Sequence, residues 1–368
     1  MTFALPPYTP PDFSATSLKS APAARLAPAP ADGVAPDNFH GTSNHPEYVH
    51  LGGGEWVLAA ESRMDCTLVL RGRRLDVVEP RRLRKGDPVV IGRSENGEEG
   101  VFVHTGGFAN QGGPAADKFS FRSRGTRESP FSRNYDELYE LLRHDRQHGH
   151  IVWVLGPAVA FDKDSRVAMA ELIEAGYCHA LLAGNALATH DLEAAMFGTG
   201  LGQDIYTQAS RPLGHYNHLE VLNAVRRAGS IPKAIAGLGL SGGIIAACHK
   251  CDVPYVLAGS IRDDGPLPEV IADVYAAQDA MRAHVRRATT VLALATQLHS
   301  IAVGNMTPSY RVMDDGSVRP VYYYVVDMTE FSVDKLANRG SAQVSAILTN
   351  VQDFMVNLWN NLAKRDAT

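Results

Sequence analysis

Residues 151–160 read I-V-W-V-L-G-P-A-V-A: five apolar residues without polar alternation, then glycine and proline. A run apolar on both faces belongs to a strand covered on both sides, and Gly-Pro ends it in a turn. Toward the C-terminus the pattern recurs at residues 180–183, 254–258, 290–293, 321–326 and 344–348. Longer amphipathic segments at 166–174, 215–227, 269–286 and 334–337 lie among them. Buried strands alternating with helices predict an α/β unit built on a doubly wound parallel sheet.

Toward the N-terminus the period shortens. Residues 55–60, 66–70, 75–78, 88–92 and 100–104 read as strands broken by Gly, Arg and charged turns. Residues 108–130 are polar and rich in Gly and Ser, a linker or loop, and 135–146 have helical spacing. Residues 1–37 carry P-P-Y-T-P-P and A-P-A-A-R-L-A-P-A-P-A, which predicts an extended arm across the body or a neighbouring subunit. The expected organisation is an arm (1–37), a smaller β-rich substrate or oligomerisation domain (38–130) and a Rossmann-like domain (131–368).

The 368 residues are 45% hydrophobic and 20% charged, enough for a sizeable core and about two domains. A formal net charge of −5 argues against nucleic acid and anionic membranes as partners. Four cysteines, Cys66, Cys178, Cys248 and Cys251, are too sparse for a disulfide framework. No apolar run reaches the roughly 18 residues of a membrane span, and the N-terminus does not read as a signal peptide. A soluble, cytoplasmic enzyme is the expectation.

Ligands of doubly wound sheets sit beyond the carboxyl ends of the strands. Those ends carry G-N-A-L-A-T-H-D (184–191), G-S-I-R-D-D-G-P-L-P (259–268), L-A-T-Q-L-H-S (294–300), Asp327 and T-N-V (349–351). Any single Asn, Asp, Thr or Ser there reads equally well as a helix cap. Five successive ends with such residues argue for one polar crevice.

Other motifs weigh less. G-L-G-L-S-G (237–242) matches a dinucleotide fingerprint, but no good strand precedes it, so it reads as a connection between helices. The first βα turn, G-P-A-V-A (156–160), is the alternative phosphate position. Cys248 and Cys251 have C-x-x-C spacing without a second ligand pair, and His215 and His218 lack an accompanying carboxylate motif, so no metal is expected. Asp263 and Asp264 precede a helix expected to hold Pro268 in its first turn, and read as caps or as acceptors for ribose hydroxyls or a substrate amine. His299, at another strand end, suits acid/base work. Cys66 reads as a buried strand cysteine. For Cys66 or Asp65 to face the crevice, the small domain would have to fold over it.

These residues carry a resemblance. G-P-A-V, A-G-N-A-L-A-x-H-D, F-G-T (197–199), R-R-A-G-S-I (226–231), V-L-A-G-S-I-R-D-D-G-P-L-P, A-Q-D-A-M (277–281), A-T-x-L-H-S-I-A and R-G-S-A-Q (339–343) are similar to the archaeal-type ornithine cyclodeaminase family. That family is also labelled LOR/SDH and includes the C-terminal part of cyanobacterial bifunctional arginine dihydrolase. The resemblance spans roughly residues 40–355, including M-D-C (64–66) and K-G-D-P-V-V-I-G (85–92). It implies an NAD-binding Rossmann-like domain and conversion of L-ornithine to L-proline and ammonia. NAD contacts carry over to Asn185, Ala186, Asp264, Thr296, Gln297, Leu298, His299, Asp327, Asn350 and Val351. The chain departs from the family in its N-terminal arm and in the polar stretch M-D-D-G-S-V-R-P (313–320).

The implied chemistry is an internal redox loop: hydride leaves the substrate α-carbon, the side-chain amine closes the ring, ammonia departs and the hydride returns. Asp264 and His299 are the candidate acid/base or cofactor-orienting groups, and Asp65 and Cys66 the candidate substrate-side residues. The expected partners are a small diamino acid and further copies of the chain in a homo-oligomer. The rival readings are an NAD-dependent oxidoreductase or condensing enzyme on another amino acid, and a catalytically silent NAD-binding sensor.

Overall fold

The computed structural model describes residues 4–61, 63–108, 131–263, 265–329 and 344–366. Seven strands make two antiparallel sheets in the first third of the chain. They are β1 (Arg25–Pro28), β2 (Glu47–Gly52), β3 (Glu55–Leu58), β4 (Thr67–Arg71), β5 (Arg74–Val78), β6 (Pro88–Ile91) and β7 (Val101–Val103). One sheet has the order β1-β6-β4-β5, the other β3-β2-β7. Their shared core includes Val49, Ala59, Cys66, Leu68, Leu75, Val77, Val90 and Val101. β1 lies within the Pro/Ala-rich stretch and pairs with β6, ending at Pro28. Proline is tolerated there because an edge strand has amides with no partner to serve.

Six parallel strands follow: β8 (Ile151–Leu155), β9 (Ala180–Gly184), β10 (Tyr255–Ala258), β11 (Thr290–Leu294), β12 (Tyr322–Asp327) and β13 (Val344–Leu348). Their order is β10-β9-β8-β11-β12-β13. The first of the six is therefore central, and the winding reverses between β8 and β11, as in a Rossmann sheet. All five residues of β8 and of β11 are buried, which is why neither strand shows polar alternation. Trp153 stays buried because its indole donates to the Tyr177 carbonyl at 2.8 Å.

Helices cover both faces: α1 (Phe131–His148), α2 (Lys163–Glu174), α3 (Asn185–Phe197), α4 (Asn217–Ala228), α5 (Ile231–Leu238), α6 (Ile244–Lys250), α7 (Val274–Val285), α8 (Gln297–Met306) and α9 (Val351–Asn361). The G-L-G-L-S-G string connects α5 to α6, and Gly239 ends α5 in the left-handed conformation at φ +63°. Pro268 does not open a helix, contrary to expectation. Ile271 instead pairs with Ala258 beside the end of β10, and α7 starts at Val274, where Asp273 accepts from the Ala276 amide at 2.7 Å. Residues 267–270 form a single turn, closed by the Val270 amide on the Leu267 carbonyl at 3.1 Å, and the pairing of Ile271 then interrupts the helix until Asp273 caps it. The amphipathic stretch at 334–337 lies outside the described residues.

The β-rich part docks on the C-terminal ends of α7 and α8. Arg63 donates to the Asn305 carbonyl at 2.8 Å, and Arg286 to the Val77 carbonyl at 2.9 Å. A hairpin, Tyr310–Val312 with Val318–Pro320, joins the contact and holds part of the polar stretch that departs from the family pattern. The Tyr310 hydroxyl donates to the Ala59 carbonyl at 2.7 Å, and the Val312 amide to Ala60 at 3.1 Å. Helices that follow parallel strands run back along them, so this docking lies toward the amino edge of the sheet.

Candidate functional site

At the point where the winding reverses, β8 and β11 end side by side. The Gly156 amide donates to the Leu294 carbonyl at 2.8 Å. Ala295 takes the left-handed conformation at φ +52°. Its carbonyl presses on Gly156 so closely that a Cβ there would lie 1.9 Å from that oxygen. Only glycine fits at this turn. One strand over, a Cβ on Gly184 would lie 3.0 Å from Cε1 of His299, so the imidazole lies against the end of β9. The structure thus brings His299 to Gly184 and its neighbour Asn185.

Asn185 ties a third strand end into the site. Its Oδ1 accepts from the Leu267 amide at 3.0 Å, in the loop after β10, and from the Thr189 hydroxyl at 3.3 Å. In the same loop Asp263 accepts from the Ser260 amide at 2.8 Å. Burial holds the His299 imidazole below its ordinary value of 6.5, while the Asp263 carboxylate pulls the other way without overcoming it. A neutral imidazole at neutral pH can accept a proton. Asp263 acts on His299 through its charge, and its neighbour Asp264 lies outside the described residues. The sequence signal for this acid was the doublet itself.

The caps separate site residues from structural ones. Asp162, Ser230, Asp273 and Asn350 each accept from an amide in the first turn of their helices. Asn350 is therefore a helix cap, and Val351 behind it is buried. On the helices that open on the crevice the N-cap residues, Gly184 for α3 and Thr296 for α8, make no side-chain cap, a feature that α4 shares at Tyr216. Their first-turn amides are left for another acceptor. Ala186 and Thr296 are half-buried, while Gln297 and Leu298 are exposed at the lip. Asp327, at the end of β12, accepts from the Thr329 amide at 2.9 Å and its hydroxyl at 3.0 Å. Gln352 donates to the Ala158 carbonyl at 3.1 Å and ties the last helix to the first turn, a link without sequence signal.

Asp65 and Cys66 are not brought to this crevice. Asp65 lines a separate cavity of about 560 Å³ with Arg63, Glu79 and the residues Gly304, Asn305 and Thr307 at the far end of α8. Ten helical residues separate that end from Thr296, roughly 15 Å at the helical rise. Cys66 is buried in the β-rich core, where burial pushes its thiol up to about 11. Cys178 and Cys248 are also buried, Cys251 is exposed, and all four are unbridged. Among the described residues no group of three or more His, Cys, Asp or Glu could hold a metal ion, and no helix is long and apolar enough to cross a membrane.

The comparisons with known proteins agree with this fold. Residues 137–358 match a family model described as arginine dihydrolase ArgZ-like, C-terminal, Rossmann fold. The chain is 40% identical over 351 residues to an ornithine cyclodeaminase of Methanopyrus kandleri, covering 92% of this chain and 78% of that protein. It is 41% identical over 347 residues to one of Archaeoglobus fulgidus, covering 93% and 79%. Among solved structures, a conserved LOR/SDH protein from Methanococcus maripaludis superposes with a TM-score of 0.83 at 36% identity, covering 94% of this chain and 99% of that one. AgrE in ternary complex with ornithine and NAD+ superposes with a TM-score of 0.57 at 30% identity, covering 95% of this chain and 47% of that one.

Proposed function

The chain belongs to the ornithine cyclodeaminase family, and from that premise we propose that it is an NAD-dependent ornithine cyclodeaminase, converting L-ornithine or a related diamino acid to L-proline and ammonia. The observation that carries this reading is the crevice itself. Two uncapped helix N-termini, α3 and α8, open onto the strand ends where the winding reverses.

That crevice fits a dinucleotide. The free first-turn amides suit a pyrophosphate, and the exposed side chains of Ile261, Leu298 and Met328 give apolar walls near the ends of β10, β11 and β12. Asn185, Ala186, Thr296, Gln297, Leu298 and Asp327 would hold the cofactor, with Asp264, Asn350 and Val351 following the neighbouring strands β10 and β13 in sequence. When bound, NAD+ supplies a reversible hydride acceptor, which lets a reaction without net oxidation pass through an oxidised carbon. His299 would take the proton from the substrate amine, its basicity set by burial and by Asp263. Asp65 and Cys66 could serve the substrate only if another copy in a homo-oligomer presented its β-rich part to this crevice.

Ornithine supplied to the purified chain with NAD+ tests the proposal. Proline and ammonia in equal amounts, without NADH accumulation, are expected. Steady NADH accumulation would convert the assignment to a net oxidoreductase. Tight NAD+ binding without turnover across a panel of diamino acids would leave a silent sensor.

A further inference from the structure

A second cavity, of about 430 Å³, lies where the β-rich part meets the helices of the parallel sheet, away from the crevice. Six arginines line it: Arg63, Arg74 and Arg82 from the β-rich part, Arg282 and Arg286 from the end of α7, and Arg311 from the hairpin. Only three carboxylates share the wall, Glu61, Asp76 and Glu79. The cavity thus has twice as many cations as anions.

The existing pairings leave that excess in place. Arg63 and Arg282 both donate to the same oxygen of Glu79, each at 2.5 Å. Arg82 also reaches Glu79, at 3.4 Å. Arg286 pairs with Glu61 at 2.7 Å, and Arg74 with Asp76 at 2.7 Å. Arg311 donates to the Arg287 carbonyl at 2.6 Å. Asp279, just outside, pairs with Arg82 and Arg282 but also with Arg81, so it brings a further cation to the edge.

Arg282 is the most deeply placed of the six, 5% exposed, and its Nε–H finds no hydrogen-bond acceptor among the described residues. Its desolvation, against which Glu79 pulls and to which Arg63, Arg82 and Arg81 add, pushes the guanidinium down to about 10. Withdrawing like charges from water in one cavity is costly unless counter-charge is supplied. Guanidinium forks match phosphate and carboxylate oxygens in pairs.

We propose that this interdomain cavity is a binding site for a small dianionic oxyanion of the phosphate class, a phosphate group alone or on a small organic body. The volume is within the range of small-molecule sites. Because the arginines come from both parts of the chain, the anion bridges them and strengthens their docking. The site is independent of the crevice and of the reaction assigned to it.

Titration of the full chain with inorganic phosphate at constant ionic strength, by calorimetry and thermal melting, tests the proposal. Saturable heat and a rising melting temperature are expected. Arg286→Gln and Arg311→Gln should each weaken phosphate binding about tenfold, and Arg227→Gln, on the exposed side of α4, should leave it unchanged. Arg74→Gln is the fallback if either variant fails to fold, because its side chain is 73% exposed. A parallel titration uses malonate. Saturation by malonate without phosphate would overturn the phosphate class. No saturable heat with phosphate in the wild type, or equal phosphate binding in the wild type and the Arg286→Gln/Arg311→Gln double variant, would overturn the site.

Discussion

The two ends of α8 serve opposite purposes. At its start, Thr296 withholds its side chain from the first-turn amides, Gln297 and Leu298 face solvent, and His299 lies against Gly184. At its finish, the Asn305 carbonyl is taken by Arg63, and the β-rich part covers the helix end. Asp145 and the helix starts show the same contrast across the sheet, although Arg319 Nε and His150 Nε2 near the amino edge also lack a hydrogen-bond partner among the described residues. At the amino edge, buried Asp145 accepts from Thr289, Thr290, His144 and both terminal nitrogens of Arg319, all within 3.1 Å. At the carboxyl edge, amides and side chains keep unused capacity. A polar group with every partner satisfied stabilises; one left open is available to a ligand.

The hardest test of the closed end is Asp145→Asn, which leaves Arg319 without its counter-charge. A loss of about 3–5 kcal/mol in urea unfolding at pH 7 is expected, and a loss under 1 kcal/mol would remove the distinction between the edges. Burial raises the Asp145 carboxyl, but Arg319 and the hydroxyl donors outweigh it, so its folded value lies below the ordinary 3.8. Its contribution is therefore complete above about 4 and lost as pH falls through the lower folded value. The variant's stability should be flatter across that acid range.

Gly156→Ala tests the open end next, because its Cβ would meet the Ala295 carbonyl at 1.9 Å. We expect about 3 kcal/mol of destabilisation with loss of NAD+ binding in fluorescence titration. Unchanged NAD+ affinity would detach the turn from the cofactor. His299→Gln should lower turnover roughly a hundredfold and remove the acid limb of the pH–rate profile. In the wild type that limb lies below 6.5, because burial lowers the imidazole more than Asp263 raises it. A limb above 6.5 would contradict the assigned environment. The smallest effect belongs to the cap: Asn350→Ala should cost about 1 kcal/mol and leave NAD+ affinity within twofold. A tenfold loss of affinity would return Asn350 to the site.

Much of the open end was legible. A fully buried strand leaves a continuous apolar run, so 151–155 was bounded correctly by pattern alone, and 344–348, an edge strand with Ser345 exposed, was bounded by its remaining apolar residues. The closed side hid better. β2 escaped notice because Glu47 and His50 interrupt its apolar pattern, although both are buried, Glu47 accepting from His40 at 3.0 Å. β1 looked like plain extended arm because Pro/Ala-rich sequence offers few amide donors and little apolar surface, and its pairing with β6 is visible only in the fold. The start of α7 was placed too early because Pro268 satisfies the local rule for a helix start, whereas the turn it enters is broken off when Ile271 pairs with Ala258.

By itself the sequence determined the doubly wound α/β class, the polar strand ends and the family, because periodicity and short motifs are local properties of the chain. The tertiary structure decided which strand-end residues cap helices, that the Asp263 charge acts on His299, that Asp65 lines a cavity at the far end of α8, and that Cys66 is buried in the β-rich core. It also gathered six arginines scattered from residue 63 to 311 into one cavity. Charge that accumulates between distant segments leaves no periodic trace, since its energy depends on separation in space.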